Sequence, residues 1–232
     1  MPVRGDRFAW PYALCVLMCI LIIQSPCNAG TDTQGPPRPT TCDTLSGATR
    51  VKLPLARIVA LDLAMYAGLV ILWPYAFSPS EGSTEQFKES WTERPYMNYS
   101  KIFFELDDDP WVINTVLHGL YGSEVYLAGR TVGHSGLVSF LYAMFASVTW
   151  EYLVEGWFHQ PSAIDLAWTP VAGAVIGELR FQLLRIIMQH VSSRVLRNIL
   201  MTTLDPIGQL ERAIMGCTIR CGYSLRSSSS SF

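Results

Sequence analysis

Along the chain, apolar blocks of helical length alternate with short polar breaks. The first block follows a basic start, MPVRGDR, and runs through FAWPYALCVLMCILII to Cys27-Asn28-Ala29, small residues that suit cleavage before Gly30. A basic end, an apolar run and a small-residue site, in that order, make residues 1–29 an export signal, with an uncleaved anchor as the alternative. Residues 30–53, rich in Gly, Pro and Thr, read as a flexible linker outside the cytoplasm. Residues 54–77 carry the most apolar stretch of the mature chain, RIVALDLAMYAGLVILWPYAF. At a rise of ~1.5 Å per residue it is long enough to cross a ~30 Å hydrocarbon layer as a transmembrane helix. Asp62 inside it is too costly to face lipid and predicts a partner helix, and Pro74 marks the exit.

Residues 78–109 form a polar, aromatic-dotted connection that predicts a short interfacial helix. Asp107-Asp108-Asp109 before Pro110 suits a helix start better than a calcium site, because carboxylates favour the positive end of a helix and Pro its first turn. Residues 110–210 then make a helical core. A helix over Pro110 to Arg130 places Asn114, His118, Tyr121 and Val125 on one face. Ser135 caps a helix running to about Phe158, on which Ser147, Glu151 and Glu155 recur every four residues and so share one side. Ser162-x-x-Asp165 resembles a capping box, with Ser162 as the cap and Asp165 reaching back to the first amides. Asp165, Thr169, Gly173 and Gly177 again recur every four residues, and Gly173 to Gly177 is a small-residue face that lets a second backbone approach. Pro170 frees the carbonyl around Leu166 and predicts a kink there. Past Glu178 the sequence turns amphipathic and basic. Arg180, Arg185, Arg194 and Arg197 suit a helix against anionic headgroups. Residues 211–232 read as a tail.

The fold class expected from this pattern is all-α: a membrane-embedded or membrane-associated bundle of about four to five helices behind a signal segment. Composition agrees, with 50% hydrophobic and 16% charged residues in 232. A mean hydropathy of +0.24 is modest for a chain made wholly of spanning helices, so some segments should be interfacial. A net charge of −2 and the absence of a recognition motif exclude nucleic acid as a partner. Membrane lipids, and a protein of the cell envelope, are the partners this composition suits. Helical rather than barrel-like segments favour the inner membrane. Cys15, Cys19 and Cys27 fall in the signal, which leaves Cys42, Cys217 and Cys221. The spacing at 217 and 221 lacks the second ligand pair of a zinc site.

Charge placement leaves a conflict over topology. With residues 30–53 outside and four later spans, the Arg-rich segment after Glu178 also falls outside, against the positive-inside tendency.

The chemistry lies in the core. Glu151 and Glu155 repel if both are ionised, so they need a shared proton, a cation, or donors such as His118 or Asn114 from a neighbouring helix. Two readings follow. In the first, Asn114, His118, Glu151, Glu155, Asp165 and Thr169 form a buried, non-catalytic polar seam, with Ser162 as a cap and no cofactor. In the second, His118, Glu151 and Glu155 act as acid, base or metal ligands at a membrane interface. Asp165 orients the histidine, a divalent metal is admitted, and a lipid-linked group is hydrolysed or transferred. The Glu-x-x-His pair of di-iron bundles is absent. Either way, His118, Glu151 and Asp165 should converge.

The series Asp109-Pro110-Trp111, Asn114-x-x-x-His118-x-x-x-Gly122-Ser123, Trp150-Glu151-Tyr152-x-x-Glu155, and Pro161-Ser162-x-x-Asp165-Leu166-x-x-Thr169-Pro170-x-x-Gly173-Ala174-x-x-Gly177-Glu178, with the later Asp205-Pro206, resembles a bacterial family. That family is the domain of unknown function 3943, and the resemblance covers roughly residues 100 to 210. A more distant similarity is to VanZ-like membrane proteins, which share the order His, Glu, Asp, small-residue helix. Both imply a helical membrane or envelope protein and neither implies a reaction.

Overall fold

The computed structural model describes residues 46–72, 74–77, 80, 82–97 and 112–215, and these are overwhelmingly helical. The export signal, most of the linker, the Asp107–Asp109 run, the three mature-chain cysteines and the end of the tail lie outside the described residues.

Helix α1 spans Gly47–Leu72, so the last residues of the expected linker are helical. Pro54 lies inside it and has no N–H for the Arg50 carbonyl, its partner one turn back. His134 Nε2 stands 3.2 Å from that carbonyl and can donate to it, which repairs the ladder from another helix. After Leu72 a short helix, α2, covers Pro74–Phe77 and begins at the proline. Helix α3, Ser83–Thr92, is the short helix expected in the polar connection.

The core comprises α4 (His118–Thr131), α5 (Gly136–Thr149) and α6 (Ala163–His190). Ser135 and Ser162 cap α5 and α6 as their sequences predict, each side-chain oxygen accepting an amide from the first turn. Beyond α6, α7 (Arg194–Leu204) and α8 (Pro206–Met215) follow, so the expected tail begins as helix. Asp205 opens α8 by accepting the Gly208 amide at 2.9 Å, with Pro206 in the first turn.

Helix α4 runs antiparallel to α1 and α5 and parallel to α6, since His118 meets Thr169 and Arg130 meets Glu178. Asp62 on α1 meets Tyr121 on α4, and Arg57 meets Glu124. The α4–α6 crossing is the closest. A Cβ on Gly122 would lie 2.1 Å from the Thr169 carbonyl oxygen, and one on Gly173 would lie 2.5 Å from the Gly122 carbonyl carbon. The small-residue face read from the sequence is therefore a backbone-to-backbone contact at Gly173, while at Gly177 it receives the Tyr126 side chain. Apolar cores flank it. Ile58, Tyr121, Val125, Ala146 and Trp150 join α1, α4 and α5, while Leu127, Phe181, Leu184 and Met201 join α4, α6 and α7.

Candidate functional site: a buried His–Glu–Asp triad

Three elements deliver the triad, and two of them do so through wide turns. His118 opens α4, directly after a π-helical turn at Ile113–Leu117. Asn114 sits in that turn, and its side chain lies outside the described residues. Glu151 sits in a second π turn, Trp150–Val154, that continues α5 without a break and leads into a 3-10 turn at Glu155–Trp157. The Glu155 amide reaches back five residues, to the Trp150 carbonyl, which defines the wider coil. Asp165 lies in the first turn of α6.

The capping expectation for Asp165 needs correction. Ser162 Oγ does accept the Asp165 amide, at 3.2 Å. A reciprocal box would send the Asp165 carboxylate to the Ser162 amide, but that amide donates to Glu151 Oε2 at 2.7 Å. A longer carboxylate from the neighbouring helix thus serves the cap. The Asp165 carboxylate faces His118, with Oδ2 3.7 Å from Nε2. The other ring nitrogen, Nδ1, stands 3.0 Å from Thr169 Oγ1, one helical turn beyond Asp165. Ser147 Oγ donates to the Asp165 carbonyl at 2.9 Å and ties α5 to the start of α6.

The expected convergence is thereby present. One ligand-type atom from each of His118, Glu151 and Asp165 lies within 4.8 Å of the others, and the residues are 8%, 1% and 2% exposed. Two carboxylates and an imidazole in such dry surroundings can share a proton, bind a cation or serve as hydrogen-bonded cross-links.

Glu155 does not join them. Its Oε2 accepts Trp150 Nε1 at 2.7 Å, and its Oε1 lies 3.5 Å from His159 Nδ1. The four-residue spacing that groups Ser147, Glu151 and Glu155 assumes an unbroken α-helix. The π turn shifts the register between Glu151 and Glu155, so only Ser147 and Glu151 face inward.

The chain before α4 closes over this end. Ser90 Oγ donates to the Gly156 carbonyl at 2.8 Å, the Tyr96 amide donates to the Pro161 carbonyl at 2.7 Å, and the Ala163 amide to the Tyr96 carbonyl at 3.1 Å. The loop carrying Ser162 is therefore held on both sides.

A second buried polar centre escapes the sequence reading. Arg57, 2% exposed, makes a two-pronged bond to Glu211 through Nε at 2.7 Å and Nη2 at 2.5 Å. It also donates to the Glu124 carbonyl at 3.1 Å and stands 3.8 Å from Asp205. Arg180 bonds Ser123 Oγ at 2.7 Å, Glu124 Oε1 at 2.5 Å and the Leu204 carbonyl at 2.9 Å. Arg180 therefore points into the bundle and not toward headgroups, a correction to the surface-helix expectation. An arginine inside an apolar block was the available signal, since such a charge requires a partner.

Residues 103–207 match the family profile described as a domain of unknown function (DUF3943). No curated protein and no solved structure matches the chain.

Proposed function

We propose, on the premise that residues 103–207 match the DUF3943 family, that this chain is a non-catalytic, membrane-embedded protein of the cell envelope whose buried triad joins its helices. One observation carries the reading: the bundle exposes continuous stripes of apolar side chains while burying several charged ones. Leu137, Leu141, Phe145 and Val148 form an exposed stripe on α5, and Val171, Val175, Leu179, Leu183 and Ile186 one on α6. Arg57, Asp62, His118, Glu151, Asp165 and Asp205 are buried. Water would favour the reverse, whereas lipid favours this arrangement, with polar groups paired between helices. The segments Gly47–Leu72 and Gly136–Trp157 are both long and apolar enough to cross a bilayer.

Charge supports an orientation within this proposal. Arg50 and Lys52 open α1 beside the α4–α5 turn with Arg130 and His134, and Arg194 and Arg197 follow the far end of α6. The opposite end carries α3 and the residues after it, where the exposed Lys88 and Arg94 are fewer than the basic residues at the first end and stand among Glu85, Glu89 and Glu93. The positive-inside tendency then sets the basic end toward the cytoplasm and the triad toward the outer leaflet. It also turns the start of α1 inward, and so revises the exported linker.

A membrane-soluble photolabel, mapped by mass spectrometry, tests the embedding. Labelling should concentrate on the α5 and α6 stripes, and release of the protein by alkaline carbonate would overturn the reading. Trypsin added to spheroplasts should spare Arg194 and Arg197, and cleavage there from outside would reverse the orientation.

The joint itself makes a prediction. Glu151→Ala leaves the buried Ser162 amide without its carboxylate, a loss of about 1–3 kcal/mol. The thermal unfolding midpoint in detergent should fall accordingly. An unchanged midpoint would remove the joint from the proposal.

A further inference from the structure

We infer that the His118–Glu151–Asp165 triad binds one divalent transition-metal ion, zinc being the best fit, an inference that rests on reading the triad as the joint between α4, the α5 extension and α6. The donor set is the first reason. One imidazole and two carboxylates suit zinc and its first-row neighbours, and three protein ligands with a fourth position left over is a common zinc arrangement. Charge is the second. A divalent ion held by two carboxylates and an imidazole has its charge cancelled by its own ligands, without a counter-ion from outside.

Distance separates this from a proton shared between His118 and Asp165. A proton held between His118 and Asp165 would draw Nε2 and Oδ2 to about 2.7–2.9 Å. They stand 3.7 Å apart. Two ligands on one tetrahedral zinc ion, each bonded at ~2.0–2.2 Å, lie about 3.3–3.6 Å from each other, so that separation is within about 0.1–0.4 Å of a fit. All three ligand atoms lie within 4.8 Å of one another, and a carboxylate rotation would be needed to bring all three onto one ion.

An independent observation is the outer ring of contacts. Thr169 Oγ1 engages His118 Nδ1 at 3.0 Å, which fixes the ring and directs Nε2 toward Asp165. The Ser162 amide holds one oxygen of Glu151 at 2.7 Å. Asp165 is pinned at both backbone ends, its amide by Ser162 Oγ and its carbonyl by Ser147 Oγ. Metal ligands are held in this way, and a loose polar seam does not require it.

The test uses the full chain, purified in detergent without chelator from zinc-supplemented medium. Elemental analysis should find about one zinc per chain, and Glu151→Gln and Asp165→Asn should each reduce it to background. Cobalt titrated into metal-stripped protein should give a visible absorption band that zinc abolishes, a readout that needs no variant to fold. Thr169→Val should keep the stoichiometry and weaken the apparent Kd about 10–100-fold. No zinc and no cobalt band in the wild type would overturn the metal, as would zinc content equal to the wild type in both carboxylate variants. If the metal is absent while Glu151→Ala still lowers the unfolding midpoint, the metal fails and the joint stands. An unchanged midpoint removes the joint as well.

Discussion

Gly122→Ala should unfold the bundle at far lower temperature than the wild type, with a loss of about 3 kcal/mol or more. The added methyl would sit 2.1 Å from the Thr169 carbonyl oxygen and 3.1 Å from Gly173 Cα. Both obstacles are backbone, so no rotamer change relieves the contact and α4 must move away from α6. That movement also carries His118 from Thr169 and Asp165, because Thr169 supplies both the carbonyl and the hydroxyl. Gly173→Ala, whose methyl meets the Gly122 backbone at 2.5–2.9 Å, should behave alike. Gly68→Ala is the control. Nothing lies within 4 Å of its Cβ position, and alanine in a helix interior gains roughly 0.5–1 kcal/mol over glycine. Thermal unfolding of the three variants in one detergent measures the difference. A Gly122→Ala midpoint near that of the control would mean that the crossing is not as close as described.

Arg57→Ala should cost about 3–5 kcal/mol, the range for stripping one partner from a buried ion pair. Its guanidinium faces Glu211, Glu124 and Asp205, and Asp205 is fully buried at the start of α8. With the arginine gone, α8 loses its tie to α1, so the chain beyond α7 should become sensitive to limited proteolysis before the bundle melts. Arg57→Lys keeps the charge but not the fork, and should fall between the two. Coupling between Arg57→Ala and Glu211→Gln, measured as a double-mutant cycle, should be substantial because the two share bonds at 2.7 and 2.5 Å. Strict additivity would show that the network does not act as one unit.

What the sequence reveals of this fold follows from the range of each signal. The caps at Ser135 and Ser162 are legible because a cap and the amide it accepts lie three residues apart. The contact at Gly173 and Gly177 is legible because only a close neighbour explains two small residues at helical spacing in an apolar segment. Asp62 is legible as a residue that needs a partner, and Tyr121 Oη donates to it at 2.5 Å. The triad is anticipated from residue type and helical face, without a distance. Arg57 and Glu211 are 154 residues apart, and nothing local links them. Arg180 fits an amphipathic basic pattern on its own helix, and only the position of α4 turns it inward. Glu155 is misplaced because an α-helical period was applied across a segment that departs from it.

Those departures make the site depend on chain length as well as on residue type. A π turn is an α-helix with one residue too many, so removing one residue from Trp150–Val154 would rewind the segment as α-helix. The wide turn fits its extra residue into about the same rotation and rise as an ordinary turn, so the chain after that deletion would keep its direction and the loop through Pro161 would still arrive beside Glu151. A deletion within the regular part of α5 would instead rotate everything beyond it by about 100° and shift it by ~1.5 Å, and the Ser162 amide would then miss Glu151. Loss of the exposed Leu153 should therefore be tolerated far better than loss of any one residue from Gly136–Thr149.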